Sequence, residues 1–169
     1  VKIHRTTFEK LKIEKSYDLV LFSESFQYVS IKDSLIKIPL LLNENGKLLI
    51  CDFFRQPGTG TKPLGGGHDW NVFQDNLKNH SFTNLIDIDI TTETARTYDL
   101  INILVKDVAA PVRDLSSSYL SSQYPKGMKF LKWYFEKKIS RMNRIYFSGN
   151  MTGEMFNKLK TYRILLYKV

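Results

Sequence analysis

The chain has 169 residues, 43% of them apolar and 13% aromatic, which supports one domain with a sizeable core and excludes a disordered protein. A single cysteine and three histidines exclude a disulfide framework and a His/Cys metal cluster, so no metal site is expected. The formal charge of +8 is unevenly placed: eleven of the 25 basic residues but only two of the 17 acids follow Pro125. The basic character therefore belongs to one C-terminal segment and does not make the whole chain nucleic-acid binding.

Val1 to His4 alternates apolar and polar residues and reads as the end of a strand. Arg5 to Glu9 follows as a polar loop holding one aromatic, Phe8. A strand pattern already under way at Val1 predicts that the chain is part of a longer protein. Tyr17 to Phe22 is an apolar run opened by Asp18 and closed by Ser23-Glu24-Ser25, the pattern of a strand buried on both faces with a polar exit. In an open α/β sheet, ligands bind beyond the carboxyl ends of the strands, which makes Ser23 to Tyr28 the first place to look for chemistry.

Ser30 is placed to N-cap a helix carrying Ile31, Leu35 and Ile38 on one face, with Pro39 expected to kink or restart it and Asn43 to Gly46 to end it. Lys47 to Phe54 reads as a second buried strand, so that strand, helix and strand form a βαβ unit with parallel strands. Cys51 lies inside its apolar run and is expected to be buried and unreactive. Gln56 to Gly67, with five glycines and two prolines, is a loop at the edge of the presumptive site, either mobile or tightly turned. Gly65-Gly66-Gly67 lacks both the Gly-Lys-Ser/Thr and the GxGxxG spacing of phosphate-binding loops.

Asp69 caps a helix bearing Trp70, Phe73 and Leu77, and Leu85 to Ile90 alternates as an edge or half-covered strand. A long helical region runs from Thr92 to about Asn143, with breaks expected at Pro111 and Pro125. A short helix over Met151 to Lys160 and a closing strand over Tyr162 to Lys168 end the chain. The longest apolar runs are too short to cross a membrane and the first residues carry no signal-peptide pattern, so a cytoplasmic location is expected.

The Tyr17-Asp18-Leu19-Val20 strand, its Ser23-Glu24-Ser25-Phe26-Gln27-Tyr28-Val29 exit, and Leu41-Leu42-Asn43-Glu44-Asn45-Gly46-Lys47-Leu48 leading into the next strand resemble the class I S-adenosylmethionine-dependent methyltransferases. The likeness is to the small-molecule type that includes sterol, tocopherol and ubiquinone-type enzymes. It implies a Rossmann-like α/β sheet of order 3-2-1-4-5-7-6, in which the strands of this chain correspond to 3, 4, 5, 6 and 7. It also implies one methyltransferase-like domain over 1–169, with a helical lid inserted over 93–148 before the last strand. The family's glycine-rich cofactor loop and ribose-holding acid belong to strands 1 and 2, so the chain is expected to be the C-terminal part of an enzyme, inactive alone.

What the resemblance implies for individual residues is specific. S-adenosylmethionine would be the cofactor, with Thr7 and Phe8 at the adenine-contacting turn, and Ser23 and Glu24 at its methionine end. Thr7 stands where the family usually has Asp. Gln27, Tyr28, Asp52, Phe53 and His68 would face a small-molecule acceptor, and Glu24 or His68 would be the general base if the acceptor is protonated. Read without the resemblance, Glu24 is an acid near a helix N-terminus, His68 a loop residue bonded to backbone, and Asp52 a cap of the following turn.

Residues 126–146 read as a basic amphipathic helical stretch with dense aromatics, either a lid with its lysines in water or a surface for peripheral membrane contact or an amphiphilic acceptor. The same segment raises RNA-directed methylation or nucleic-acid binding as the alternative. Against it, the Asn/Asp-Pro-Pro-Tyr/Phe turn of amino-methylating nucleic-acid enzymes is absent, and nucleic acid is not the expected partner. A nicotinamide-dependent oxidoreductase shares the architecture but needs the missing GxGxxG turn.

Overall fold

The computed structural model describes residues 3–12, 17–60 and 64–169. They fall into two compact units: one takes the described residues up to Gly60 with Gly66–Thr91 and Leu159–Val169, and the other is built on Thr92–Lys158.

The first unit is a four-stranded sheet of order β1-β2-β4-β3, formed by β1 (Tyr17–Ser23), β2 (Leu42–Arg55), β3 (Thr83–Asp89) and β4 (Lys160–Lys168). β1 and β2 are parallel, while β4 runs antiparallel to both β2 and β3. This is the order 4-5-7-6 that the resemblance implies. Of the strand expected over Val1 to His4, Val1 and Lys2 lie outside the described residues, and Ile3 to Arg5 form no strand.

Helix α1 (Ile31–Leu41) starts where Ser30 Oγ accepts from the Asp33 N–H at 3.3 Å. The reciprocal half of the cap comes from outside the helix: Glu9 Oε1 accepts the Ser30 N–H at 3.2 Å. Pro39 does not restart the helix, which continues past it to Leu41. Asn43 to Gly46 do not form a separate turn. They belong to the first part of β2, where β1 advances from Tyr17 to Leu19 while its partner advances from Leu42 to Lys47. Gly46 is required there, because a Cβ on it would stand 2.7 Å from the Leu42 Cβ. Helix α2 (Trp70–Lys78) is capped by Asp69, whose Oδ1 accepts from the Asn71 and Val72 N–H groups.

α1 and α2 contribute to a single core layer against one face of the sheet, with Leu48, Ile50 and Phe54 of β2, Leu165 of β4, Phe26, Leu35, Ile38 and Phe73 all solvent-free. The other face is less covered: Leu49, Cys51 and Phe53 are only half-buried. The expectation that the first strand is buried on both faces is corrected. Leu19 is 47% and Leu21 55% exposed, because among the described residues β1 pairs with β2 alone and lies at the edge of the sheet.

The second unit is helical: α3 (Thr91–Leu104) passes through a wide turn at Val105–Ala109 into α4 (Ala110–Gln123), followed by α5 (Pro125–Tyr134), α6 (Glu136–Tyr146) and α7 (Gly153–Leu159). Pro111 does not break the path, since it sits in the first turn of α4, where a missing N–H is tolerated. The break expected at Pro125 is present, with Tyr124 non-helical between α4 and α5, and a further break falls at Phe135, dividing the single amphipathic stretch that the sequence suggests into α5 and α6. Asp99 accepts the Gly153 N–H at 2.7 Å, and Tyr98 stacks on Phe156 at 4.3 Å.

Candidate functional site

Because β1 and β2 are parallel, their carboxyl ends meet at one edge, with Ser23 opposite Cys51. The next residue, Glu24, has φ of 47°, a left-handed conformation uncommon for a residue with a Cβ. It is fixed there from two sides. Its N–H donates to the Cys51 carbonyl at 2.9 Å, and its Oε1 accepts from the Tyr162 hydroxyl at 2.9 Å. The Cys51 thiol in turn donates to that hydroxyl at 3.7 Å, giving a chain Cys51, Tyr162, Glu24 across β2, β4 and the exit of β1. Burial, then the bonds to Cys51 and Glu24, push the Tyr162 phenol strongly up from its ordinary value, so it stays a proton donor.

After Glu24 the chain makes a tight 3-10 turn, Phe26–Tyr28, organised by Asp52. The Asp52 carboxylate is buried and accepts from the Gln27 N–H at 3.0 Å, the Phe53 N–H at 2.8 Å and the Gln27 side-chain amide at 3.5 Å. Burial raises its pKa, the backbone N–H bonds oppose that rise, and the charge of Glu24 adds to it. Asp52 thus holds the Phe26–Tyr28 turn, 25 residues earlier in the chain, and not the turn that follows its own strand, as the sequence reading without the resemblance has it. Phe26 pins the turn from below, edge-on to Phe22, Phe73 and His68.

The glycine-rich loop is held at five points. Gly67 N–H donates to Gln27 Oε1 at 3.3 Å, Gly67 O accepts from Arg55 Nε at 3.0 Å, and His68 O accepts the Arg55 N–H at 2.7 Å. Gly66 O accepts from Lys160 Nζ at 2.6 Å, and His68 Nε2 lies 2.9 Å from the Phe26 carbonyl. Gly66 and Gly67 both have positive φ, and a Cβ on them would meet Gln27 Oε1 at 2.6 Å and the Phe53 carbonyl at 2.9 Å. Of the two sequence readings, a tight turn describes this segment. A carbonyl only accepts, so Nε2 of His68 carries the proton and Nδ1 is the nitrogen left to accept one.

Lys160 is 1% exposed and lies 5.1 Å from the centre of the Phe53 ring. Burial, reinforced by the nearby charge of Arg55, lowers its ammonium to about 8.

The structure brings Ser23, Glu24, Gln27, Asp52, Phe53 and His68 to this one edge. Tyr28, in the same turn as Gln27, is 80% exposed. Thr7 is exposed and opens a 3-10 turn, Phe8–Lys10. The Phe8 ring packs edge-on against Phe22 at 5.1 Å, and Lys37 donates to the Phe8 and Glu9 carbonyls. Tyr162, Cys51 and Lys160 are the participants that sequence reasoning misses. Tyr162 reads as one more apolar position of a closing strand, and only the register that sets it opposite Phe53 carries it to the edge. Lys160 is expected from sequence to end the last helix, and only the structure makes it the first residue of the buried β4.

No protein-family model matches the chain, and no curated protein matches it in sequence. Solved structures do match in fold. A sarcosine dimethylglycine methyltransferase of Galdieria sulphuraria, so described in its own report without certainty, superposes with a TM-score of 0.56 at 13% identity, over 96% of this chain and 57% of that one. An O-methyltransferase of a Brevibacillus brevis polyketide synthase, solved with S-adenosyl-L-homocysteine, gives 0.55 at 16% identity, over 99% and 48%. The cyclopropane synthase MmaA2 of Mycobacterium tuberculosis gives 0.56 at 13%, over 92% and 57%. The chain therefore has the Rossmann-like class I methyltransferase fold and spans about half the length of the structures it matches.

Proposed function

We propose that the edge formed by Ser23 to Gln27, Asp52, Phe53 and Gly66 to His68 is the acceptor side of a methyl-transfer site. The methyl donor in this reading is S-adenosylmethionine and the acceptor a small, lipid-like molecule. The observation that carries it is Glu24, a charged residue held in a left-handed backbone at the carboxyl end of β1 with its carboxylate aimed by Tyr162. Strain of this kind concentrates at functional sites, and in this fold class that end of the sheet is where ligands bind.

The chemistry of the residues suits the cofactor. The exposed hydroxyl of Ser23 and the carboxylate of Glu24 are acceptors fit for a cationic amino-acid end, and Thr7 with the Phe8 N–H is fit for a purine edge. When bound, the cofactor supplies a methyl group made electrophilic by a sulfonium. The protein then has to align the acceptor atom with that methyl group and keep water out. The fixed loop Gly66 to His68 and the Phe53 ring form the wall against which an acceptor is oriented. Glu24 takes the proton from a protonated acceptor oxygen or nitrogen. Tyr162, donating to Oε1, leaves Oε2 as the accepting oxygen. Nδ1 of His68 is the second candidate base. Residues 93–148 are in this reading the helical insertion of the domain, and 126–146 its contact with an amphiphilic phase.

Calorimetric titration of S-adenosylmethionine and, separately, NADH into the protein that carries this chain tests the proposal. Binding of the first at micromolar levels and not the second is expected. Binding of NADH alone, or of neither, overturns it.

A further inference from the structure

The outer surface of α5 and α6 divides its chemistry by helix face. At 3.6 residues per turn, Lys126, Phe130, Trp133 and Tyr134 share one side of α5. Met128 and Lys132 lie on its opposite side and line a cavity of about 680 Å³ with α4 and α6. On α6, Lys137, Arg141 and Arg144 share one side, while Ile139, Met142 and Asn143 face that same cavity. Aromatic residues on one helix and cations on the next are thus turned away from the packing within the unit.

The two faces meet at the corner around Phe135. Trp133, Tyr134, Phe135, Glu136, Lys137 and Lys138 there enclose a second hollow of about 680 Å³. Trp133 is 69% exposed, Phe130 and Tyr134 stack on each other at 6.0 Å, and Lys138 Nζ lies 5.7 Å from the Phe135 ring. Glu136 is the one acid in this hollow. Across 126–146 seven Lys and Arg stand against that single acid.

We propose that this corner docks on an anionic lipid bilayer, with the aromatic rings at the headgroup level and the ammonium and guanidinium groups on lipid phosphates. The pairing of large amphipathic rings with long cationic side chains matches the interface, where one needs an apolar surrounding and the other an anionic one. No helix among the described residues is long and apolar enough to cross a membrane, so the contact lies in the surface plane. A second copy of the chain is disfavoured, since it would bring two strongly cationic faces together. Nucleic acid would use the rings and the cations but gain nothing from Leu131, which is exposed beside them. The proposal does not depend on methyl transfer, and it stands or falls without S-adenosylmethionine.

Flotation of the full chain with phosphatidylserine-containing vesicles tests it. Binding is expected at about 0.1 M salt, with release at about 0.5 M and no binding to pure phosphatidylcholine vesicles. The double variant K138A/R141A and, separately, F130A/W133A should each bind roughly tenfold more weakly. All four side chains are exposed, so an unchanged unfolding midpoint should certify both variants. Failure to float with anionic vesicles at low salt overturns the proposal, as do variants that bind like the parent. So does single-stranded RNA held more tightly than the vesicles through these same residues, or salt-sensitive self-association that W133A abolishes.

Discussion

The sheet unit and the helical unit distribute their interactions in opposite ways. In the sheet unit, residues far apart in sequence hold one another: Gln27 with Gly67, Glu24 with Tyr162, Lys160 with Gly66. In the helical unit, α4, α5 and α6 have no buried residue, and the described long-range contacts are few: the Asp99–Gly153 and Arg113–Asn143 hydrogen bonds, the Tyr98–Phe156 stack and Arg113 over the Phe147 ring. The difference teaches where stability and where adaptable surface reside. A loop clamped by long-range bonds keeps a geometry, whereas a set of exposed helices presents faces.

The sharpest way to break that contrast is by truncating rings. Phe26→Ala, solvent-free and edge-on to three rings, should destabilise by about 3–5 kcal/mol in chemical denaturation. Phe130→Ala in α5 should change stability by about 0.5 kcal/mol or less. Comparable losses from both would erase the distinction between the units.

Glycines give the next contrast. Gly67→Ala forces a Cβ against the Phe53 carbonyl at positive φ, with an expected loss of about 1–3 kcal/mol. Gly127→Ala in α5 meets nothing closer than the Tyr124 Cβ at 4.0 Å, and should stabilise by about 0.5–1 kcal/mol through helix propensity. Thermal unfolding of the two variants should move in opposite directions.

A pH series sharpens the same comparison. The Lys160 ammonium titrates at about 8 in the folded chain and near its ordinary 10.5 when unfolded. Between those values the unfolded state binds the extra proton, so this group makes stability rise with pH from about 8 upward. Above about 10 the raised phenols of Tyr162 and Tyr167 act in the opposite sense, since their protonated forms are those favoured by folding. Denaturation midpoints between pH 8 and 10 should rise for the parent and lose that slope in Lys160→Met. An identical slope in both would remove Lys160 from the account.

Of the destabilising substitutions with a stated loss in the sheet unit, the smallest effect is expected from Tyr162→Phe. It removes the hydrogen bond to the exposed carboxylate of Glu24 together with the weak one from the Cys51 thiol, at about 1 kcal/mol, while Lys37→Met should act on the Phe8 turn alone. A double-mutant cycle with Glu24→Gln reads the coupling directly. Additive effects would show that the Glu24 carboxylate is not held by Tyr162.

The local part of this architecture was legible because it rests on local rules. Ser30 and Asp69 announce their helices by side-chain caps, and Asp69 followed by Trp70, Phe73 and Leu77 fixes α2 with its buried face. The parallel pair β1 and β2 follows from two apolar runs joined by a helix. The corrections come where burial depends on neighbours. An apolar run such as Tyr17 to Phe22 has the same composition at the edge of a sheet as within it, so Leu19 and Leu21 could not reveal their exposure. Nor does the spacing of Met128 to Ile139 disclose that the helix stops at Phe135.

By itself the sequence determined strands β1 to β4 and the capped helices α1 and α2, the polar exit of β1 at Ser23 to Tyr28 and the basic aromatic segment near the end, because capping and periodicity act over a few residues. Only the tertiary structure decided that the glycine loop is fixed and that Asp52 holds the turn. It alone joined Cys51, Tyr162 and Glu24, since that contact spans 138 residues and exists only through the register of β2 against β4. Hydrogen bonds of that reach are properties of a sheet, and no single stretch of chain encodes them.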